Sequence, residues 1–258
     1  MKVAIAPSSA AGEKLRPPPA LDLARSALFA DFDGTLAPIE ATPGAVRPDA
    51  ARRRLLSALS ERLSGRFAVV SGRALEDLDQ LLEGRIQAIG AVHGLVRRTA
   101  TGVVEAPARD NRSDEARAAM LALADNDGGL LVEDKGPAVA LHYRGSPQAR
   151  EACLEMARRL AARLGLVVQL GDMVVEVRLP GPDKGDAVQA FLREKPFGGF
   201  MPVYIGDDLT DEAGFRSATV NGGFGVIVGP RRPTNAAYGL ADVSAARAWL
   251  SAALEAGQ

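Results

Sequence analysis

Short apolar runs and longer stretches of helical spacing alternate along the first third of the chain. Ala27-Leu28-Phe29-Ala30 and Phe67-Ala68-Val69-Val70 are unbroken apolar runs bounded by turn residues. Such runs read as buried parallel strands. Gln87 to Ala91 reads as a third strand, closing on His93-Gly94. Between the strands, Pro48 to Leu63 places Leu55, Leu56, Leu59 and Leu63 at helical spacing, and Leu75, Leu78, Leu81 and Leu82 mark a second helix. Strand, helix, strand, helix, strand predicts an α/β fold with a doubly wound, mostly parallel, Rossmann-like sheet.

The pattern changes near Ala106-Pro107. A helix is predicted over Arg112–Leu123, then a hairpin of Leu130–Asp134 and Ala138–Tyr143. Ser146-Pro147 predicts a helix with proline at its first position, and Ala149, Cys153, Met156, Leu160 and Leu164 form its apolar stripe. Leu166–Leu170 and Met173–Val177 predict a second hairpin around Gly171-Asp172. These pieces form a smaller α+β layer, placed at 107–180. The α/β pattern resumes at Asp183-Lys184-Gly185, with a helix to about Arg193. A strand follows at Met201–Ile205, a helix from about Thr210, a strand at Phe224–Val228 and a helix at Ala245–Leu254. The expected organisation is an extended leader at 1–20, a core of 21–106 and 181–258, and the small layer inserted into it.

Composition narrows the class. With 258 residues, 47% hydrophobic and 24% charged, the chain suits one large or two small soluble domains. A net charge of −1 gives no bulk attraction to nucleic acid or anionic membrane. Cys153 is the single cysteine. It excludes an intrachain disulfide, fits a reducing compartment and reads as a small buried apolar residue. Val3–Ala6 is too short for a signal-peptide core, and no run approaches the ~18 residues of a membrane span.

The candidate chemistry lies at strand and helix ends. Asp31 and Asp33 follow the first strand, in Asp31-Phe32-Asp33-Gly34-Thr35. The carboxyl ends of parallel strands are where α/β sheets bind ligands. A carboxylate there can attack phosphorus beside a metal, and a second can carry protons; an ordinary Asp-Gly turn fits the same residues. Ser71 follows the second strand, in Ser71-Gly72-Arg73, as a hydroxyl for a ligand or as a helix cap. Lys184 stands at a helix start, where a cation is disfavoured unless an anion is bound. Asp207 and Asp208 are adjacent acids whose repulsion a cation relieves, while Asp208 and Asp211 are also spaced as a capping pair. Acids, lysine and hydroxyl together describe a site for phosphate and Mg²⁺.

These four segments, with Lys184-Gly185 and Gly206-Asp207-Asp208-Leu209-Thr210-Asp211-Glu212 as the third and fourth, resemble in kind and order the signatures of the haloacid dehalogenase-like (HAD) phosphatases. The insertion resembles the larger type of cap domain in that superfamily. Val132-Glu133-Asp134-Lys135-Gly136, Leu141-His142-Tyr143-Arg144, Gly90-Ala91-Val92-His93-Gly94 and Val174-Val175-Glu176-Val177 are similar to segments of trehalose-6-phosphate phosphatases. The resemblance runs from about Ala27 to Leu254. One departure is Arg178, where that family often has lysine, and the two are not interchangeable at close contacts.

The resemblance implies hydrolysis of trehalose 6-phosphate, with Asp31 as nucleophile and Asp33 as acid–base. It implies Mg²⁺ held by Asp31, Asp207 and the Asp33 carbonyl, with Asp208 and Asp211 in support. Thr35, Ser71, Gly72 and Lys184 are then expected on phosphate. His93, Glu133, Lys135, His142, Arg144, Glu176 and Arg178 are expected on the sugar. For the cap charges a solvated strand face is the plain alternative, and for His142 a satisfied hairpin histidine. A cytoplasmic monomer is implied, with a sugar phosphate as ligand and a trehalose-phosphate synthase as pathway partner. The rival substrates are sucrose phosphate and mannosyl-phosphoglycerate. A phosphoryl transferase and a non-catalytic sugar-phosphate binder are the rival activities.

Overall fold

The computed structural model describes residues 15–108, 110–230 and 233–256. The first apolar run forms β1 (Ser26–Ala30), buried throughout. It is followed by α1 (Ala50–Arg62), capped by the Asp49 carboxylate, which accepts from the Ala51 and Arg52 N–H groups. Next come β2 (Phe67–Val70), α2 (Leu75–Leu82) and β3 (Ala88–Ala91). Two short strands absent from the sequence reading follow, β4 (Val96–Arg98) and β5 (Val104–Glu105). They are too short to show an alternation. Arg97 is buried there because Glu105 and Glu194 lie 2.8 Å and 2.6 Å from its guanidinium.

The second layer contains α3 (Asn111–Ala124), β6 (Leu131–Asp134), β7 (Ala138–His142), α4 (Arg150–Leu164), β8 (Val167–Gly171) and β9 (Val174–Arg178). The chain then returns through α5 (Lys184–Leu192), β10 (Met201–Gly206), α6 (Glu212–Val220), β11 (Phe224–Val228), β12 (Tyr238–Leu240) and α7 (Val243–Glu255). The helix expected from Pro147 starts differently. Pro147–Ala149 is a 3-10 turn, and α4 begins at Arg150. The buried stripe of α4 is Cys153, Leu154, Ala157 and Leu160. Met156 and Leu164 are only half-buried.

The large sheet has the order β12-β11-β10-β1-β2-β3-β4-β5. It is parallel from β12 to β3 and antiparallel beyond. Successive residues of β1 face opposite ways. Leu28 and Ala30 join Val69, Ile89 and Ile205 in one apolar cluster with Leu56, Leu78 and Leu250 of α1, α2 and α7. Ala27 and Phe29 join Val70 and Tyr204 in another with Val188, Phe191 and Phe215 of α5 and α6. Helices on both faces make the sheet doubly wound.

The small sheet has the order β6-β7-β9-β8, antiparallel throughout. One face, with Val139, Leu141, Val175 and Val177, packs on Met120, Cys153, Ala157 and Leu160 of α3 and α4. The other carries Glu133, Lys135, His142 and Glu176 over the carboxyl edge of the large sheet. Residues 1–14 of the expected leader lie outside the described residues. Within 15–20, the Arg16 and Pro19 carbonyls accept from Gly239 N–H (3.1 Å) and Trp249 Nε1 (2.8 Å).

Candidate active site

The register of β1 on β10 pairs Ala30 with Ile205. Asp31 therefore leaves the sheet beside Gly206 and Asp207, and its N–H donates to the Ile205 carbonyl at 2.9 Å. Its buried carboxylate is held at both oxygens. Oδ1 accepts from the Phe32 N–H at 2.7 Å, and Oδ2 lies 2.9 Å from Lys184 Nζ. Lys184 is the first residue of α5, whose start is fixed by a capping box between Asp183 and Asp186. The anions facing Lys184 are carboxylates: Asp31, and Asp211 at 2.7 Å.

Asp211 organises this end of the sheet. Its Oδ1 also accepts from the Tyr204 hydroxyl at 2.8 Å, and its Oδ2 accepts from the Asp207 and Asp208 N–H groups, both at 2.9 Å. Asp208 and Asp211 form a capping box around the 3-10 turn Leu209–Asp211. Burial, together with the Asp211 and Asp207 charges, pushes the Asp31 carboxyl well above the usual range, against the pull of Lys184. Burial disfavours the Lys184 ammonium, but Asp211 and Asp31 outweigh it and raise its pKa.

Carboxylate oxygens of Asp31, Asp207 and Asp211 lie within 4.8 Å of one another. Those of Asp211 are already engaged with four donors, so Asp31 and Asp207 are the pair with coordination capacity. Gly34 has φ +73°, and a Cβ there would lie 2.0 Å from Asp207 Oδ2. Bare backbone lets Asp207 close on the first motif. Hard oxygen donors, crowded and only partly neutralised, fit Mg²⁺. Thr35 corrects an expectation. It is buried behind the cavity wall, and its Oγ1 donates to Asp207 Oδ1 at 3.5 Å. It steadies an acid and does not line the cavity.

Asp33 is gripped by a residue the sequence reading left without a role. Arg73 Nε and Nη2 donate to the two Asp33 oxygens at 2.7 Å and 2.8 Å, and Nη1 donates to the Pro43 carbonyl at 3.1 Å. This is a bidentate pair. The signal was present, since a rigid guanidinium in a strand-end motif suits an acid in a neighbouring one. Ser71 does not cap α2, whose N-cap is Ala74 without a side-chain bond. The Ser71 hydroxyl accepts from the Arg73 N–H at 3.3 Å. His93 lies in the left-handed region (φ +57°) and donates its N–H to the Ser71 carbonyl at 2.9 Å. Its ring covers Gly72, where a Cβ would lie 2.5 Å from Cε1. Burial, then the Lys184, Lys135 and Arg178 charges, push the imidazole well below its ordinary pKa.

The small sheet closes the other side. Lys135 Nζ donates to Glu176 Oε2 at 2.6 Å, and His142 Nε2 lies 2.8 Å from Glu133 Oε2. Burial raises the Glu133 carboxyl, but the His142 hydrogen bond and the Lys135 charge outweigh it and lower it overall. Glu176 Oε1 is buried without a hydrogen-bond partner among the described residues, and His93 Nε2 lies 3.6 Å from it. Arg144 donates to the Asp172 carboxylate at 2.7 Å, at the turn of the second hairpin. Arg178 is a second correction. Its Nη1 turns to the Leu179, Gly181 and Pro182 carbonyls at 3.3–3.5 Å, in the segment returning to the core, and it does not line the cavity.

Core and small layer enclose a cavity of about 770 Å³, within the range of small-molecule sites. Asp31, Asp33, Ser71, Gly72, His93, Lys184, Asp207 and Asp208 line it from the core, and Glu133, Lys135, His142, Arg144 and Glu176 from the cap. Gln169 of β8, absent from the sequence reading, lines it too. Thr35, Asp211 and Arg178 stand behind the wall.

The doubly wound sheet with its inserted cap shares its fold with two solved phosphatases of the HAD superfamily, at TM-scores of 0.57 and 0.58 and 15% and 13% identity. A solved trehalose-6-phosphate phosphatase related protein matches with a TM-score of 0.71 at 27% identity, over 89% of this chain and 97% of that one. The family model described as trehalose-phosphatase matches residues 29–244. A probable trehalose-phosphate phosphatase of Sinorhizobium fredii is 39% identical over 91% of this chain and 89% of its own length. The trehalose-6-phosphate phosphatase of Escherichia coli is 36% identical over 88% and 86%. The chain belongs to the trehalose-phosphatase family, whose members are phosphoric monoester hydrolases.

Proposed function

We propose that the protein hydrolyses trehalose 6-phosphate to trehalose and phosphate, with Mg²⁺ and through an aspartyl-phosphate. One observation carries the reading. Asp31, held by Lys184 at 2.9 Å, faces the same cavity as the Glu133–His142 and Lys135–Glu176 pairs of the cap. The first suits phosphoryl chemistry and the second a polyhydroxylated ligand.

Asp31 attacks phosphorus, and the bond from phosphorus to the sugar oxygen breaks. Asp33 protonates the departing oxygen. It then takes a proton from the water that attacks the aspartyl-phosphate, which releases phosphate and restores the Asp31 carboxylate. Arg73 grips both Asp33 oxygens, so it must yield one for the proton. Lys184 Nζ, Ser71 Oγ and the Gly72 N–H receive phosphoryl oxygens. The Asp31 and Asp207 carboxylates and the Asp33 carbonyl would hold Mg²⁺, which would supply charge neutralisation on the phosphoryl group. Glu133, Lys135, His142, Glu176 and His93 read the sugar. In this reading the protein is a cytoplasmic monomer downstream of a trehalose-phosphate synthase.

The test is phosphate release across a sugar-phosphate panel with Mg²⁺, with and without chelator. Trehalose 6-phosphate is expected to be preferred and chelator to stop turnover. A preference for sucrose phosphate or mannosyl-phosphoglycerate would overturn the substrate, and turnover in chelator would overturn the metal.

A further inference from the structure

Among the described residues, the cap's cavity face carries one polar side chain with both kinds of hydrogen-bonding capacity unspent. The strand registers place Glu133 opposite Ala140, Ala140 opposite Glu176, and Glu176 opposite Gln169. These residues therefore form one row across the sheet, on the same face. Gln169 is half-buried and lines the cavity, while its neighbour Val168 packs with the opposite, helix-covered face. The charged members of the face are already paired, Glu133 with His142 and Lys135 with Glu176. The Gln169 amide has no hydrogen-bond partner among the described residues. Between the two ends, Ala140 is small and leaves the row open.

Length adds to this. Neighbouring strands lie about 4.8 Å apart, so the three steps from β6 to β8 cover roughly 14 Å. That exceeds a single hexopyranose ring and suits a disaccharide. An amide both donates and accepts, as a pair of neighbouring sugar hydroxyls does. We propose that Gln169 is a specificity-determining residue, which binds hydroxyls of the second, unphosphorylated ring and so selects a disaccharide phosphate over a monosaccharide phosphate. This rests on the substrate class proposed above and extends it to a particular ring.

The experiment measures kcat/KM of the full chain with Mg²⁺ on trehalose 6-phosphate, sucrose 6-phosphate, glucose 6-phosphate and p-nitrophenyl phosphate. Wild type is compared with Gln169→Ala and with Gln169→Met, which keeps the volume and removes the polar atoms. One or two neutral hydrogen bonds are worth roughly tenfold. The ratio of disaccharide phosphate to glucose 6-phosphate is expected to fall about tenfold in both variants, mainly through KM. An unchanged ratio, or equal losses on all four esters, overturns the proposal. If wild type prefers sucrose 6-phosphate, the trehalose assignment fails while the ratio for that ester still judges Gln169. If wild type prefers glucose 6-phosphate, both fail.

Discussion

Asp31 and Asp211 bind the same lysine, yet they are different kinds of acid. Asp211 has its oxygens spread over Lys184, Tyr204 and two backbone N–H groups. An amide in its place would turn a donor toward donors. Asp211→Asn is expected to destabilise the fold by about 3 kcal/mol, the usual cost of breaking a buried pair, read as a lower urea midpoint. Asp31 is crowded by Asp211 and Asp207 and buried, so neutralising it relieves repulsion. Asp31→Asn is expected to keep or raise the urea midpoint without metal while turnover falls at least about a thousandfold; a lowered midpoint, or near-normal turnover, would contradict the assignment. His93 has a folded pKa well below its unfolded value. Below about pH 6.5 the unfolded chain therefore binds the extra proton. The stability that neutral His93 contributes is complete above that pH and is lost as pH falls toward its folded value. His93→Asn, which tolerates the left-handed backbone, should show a shallower acid limb in a pH series of thermal melts. The convergence of Asp31, Asp33, Ser71, Lys184 and Asp207 was legible because a parallel sheet brings strand ends together. Arg73 and Thr35 were not, because only contacts set where a loop side chain points.

At the scale of elements, the site depends on how a few of them begin and turn. Lys184 reaches Asp31 only if α5 starts where it does, and Asp183 fixes that start by accepting from the Asp186 N–H at 2.9 Å. Asp183→Ala is expected to cost about 1 kcal/mol and to lower kcat several-fold, checked by denaturant melts and initial rates. The turn after β1 depends on Gly34 in the same way. Gly34→Ala faces both a left-handed φ and the Asp207 carboxylate, so it should raise the Mg²⁺ concentration needed for half-maximal rate far more than it changes the melting temperature. Long elements with clear periodicity were legible to within a residue or two. The strands β4, β5 and β12 were not, since two or three residues at a sheet edge carry no period. The stripe read for α4 packs into the cap's apolar cluster, and Leu154 and Ala157 join it there.

For the whole molecule, the insertion and the doubly wound core were both visible in the change of hydrophobic period near Ala106. How the layers meet was not, because Arg178 and the return segment are joined through backbone carbonyls, which leave no mark on sequence. Arg178→Ala should loosen that joint and raise KM for the sugar phosphate several-fold while barely moving kcat on p-nitrophenyl phosphate. The order of the large sheet has one more consequence. Its central pairing joins Ser26 to Met201, and the cap's apolar cluster draws only on residues from Ala116 to Leu179. During synthesis from the N-terminus the cap can therefore condense while β1 still waits for its partner strand. Lys184, Asp207 and Asp211 emerge after the cap, so Asp31 is synthesised well before the charged groups that surround it in the folded protein.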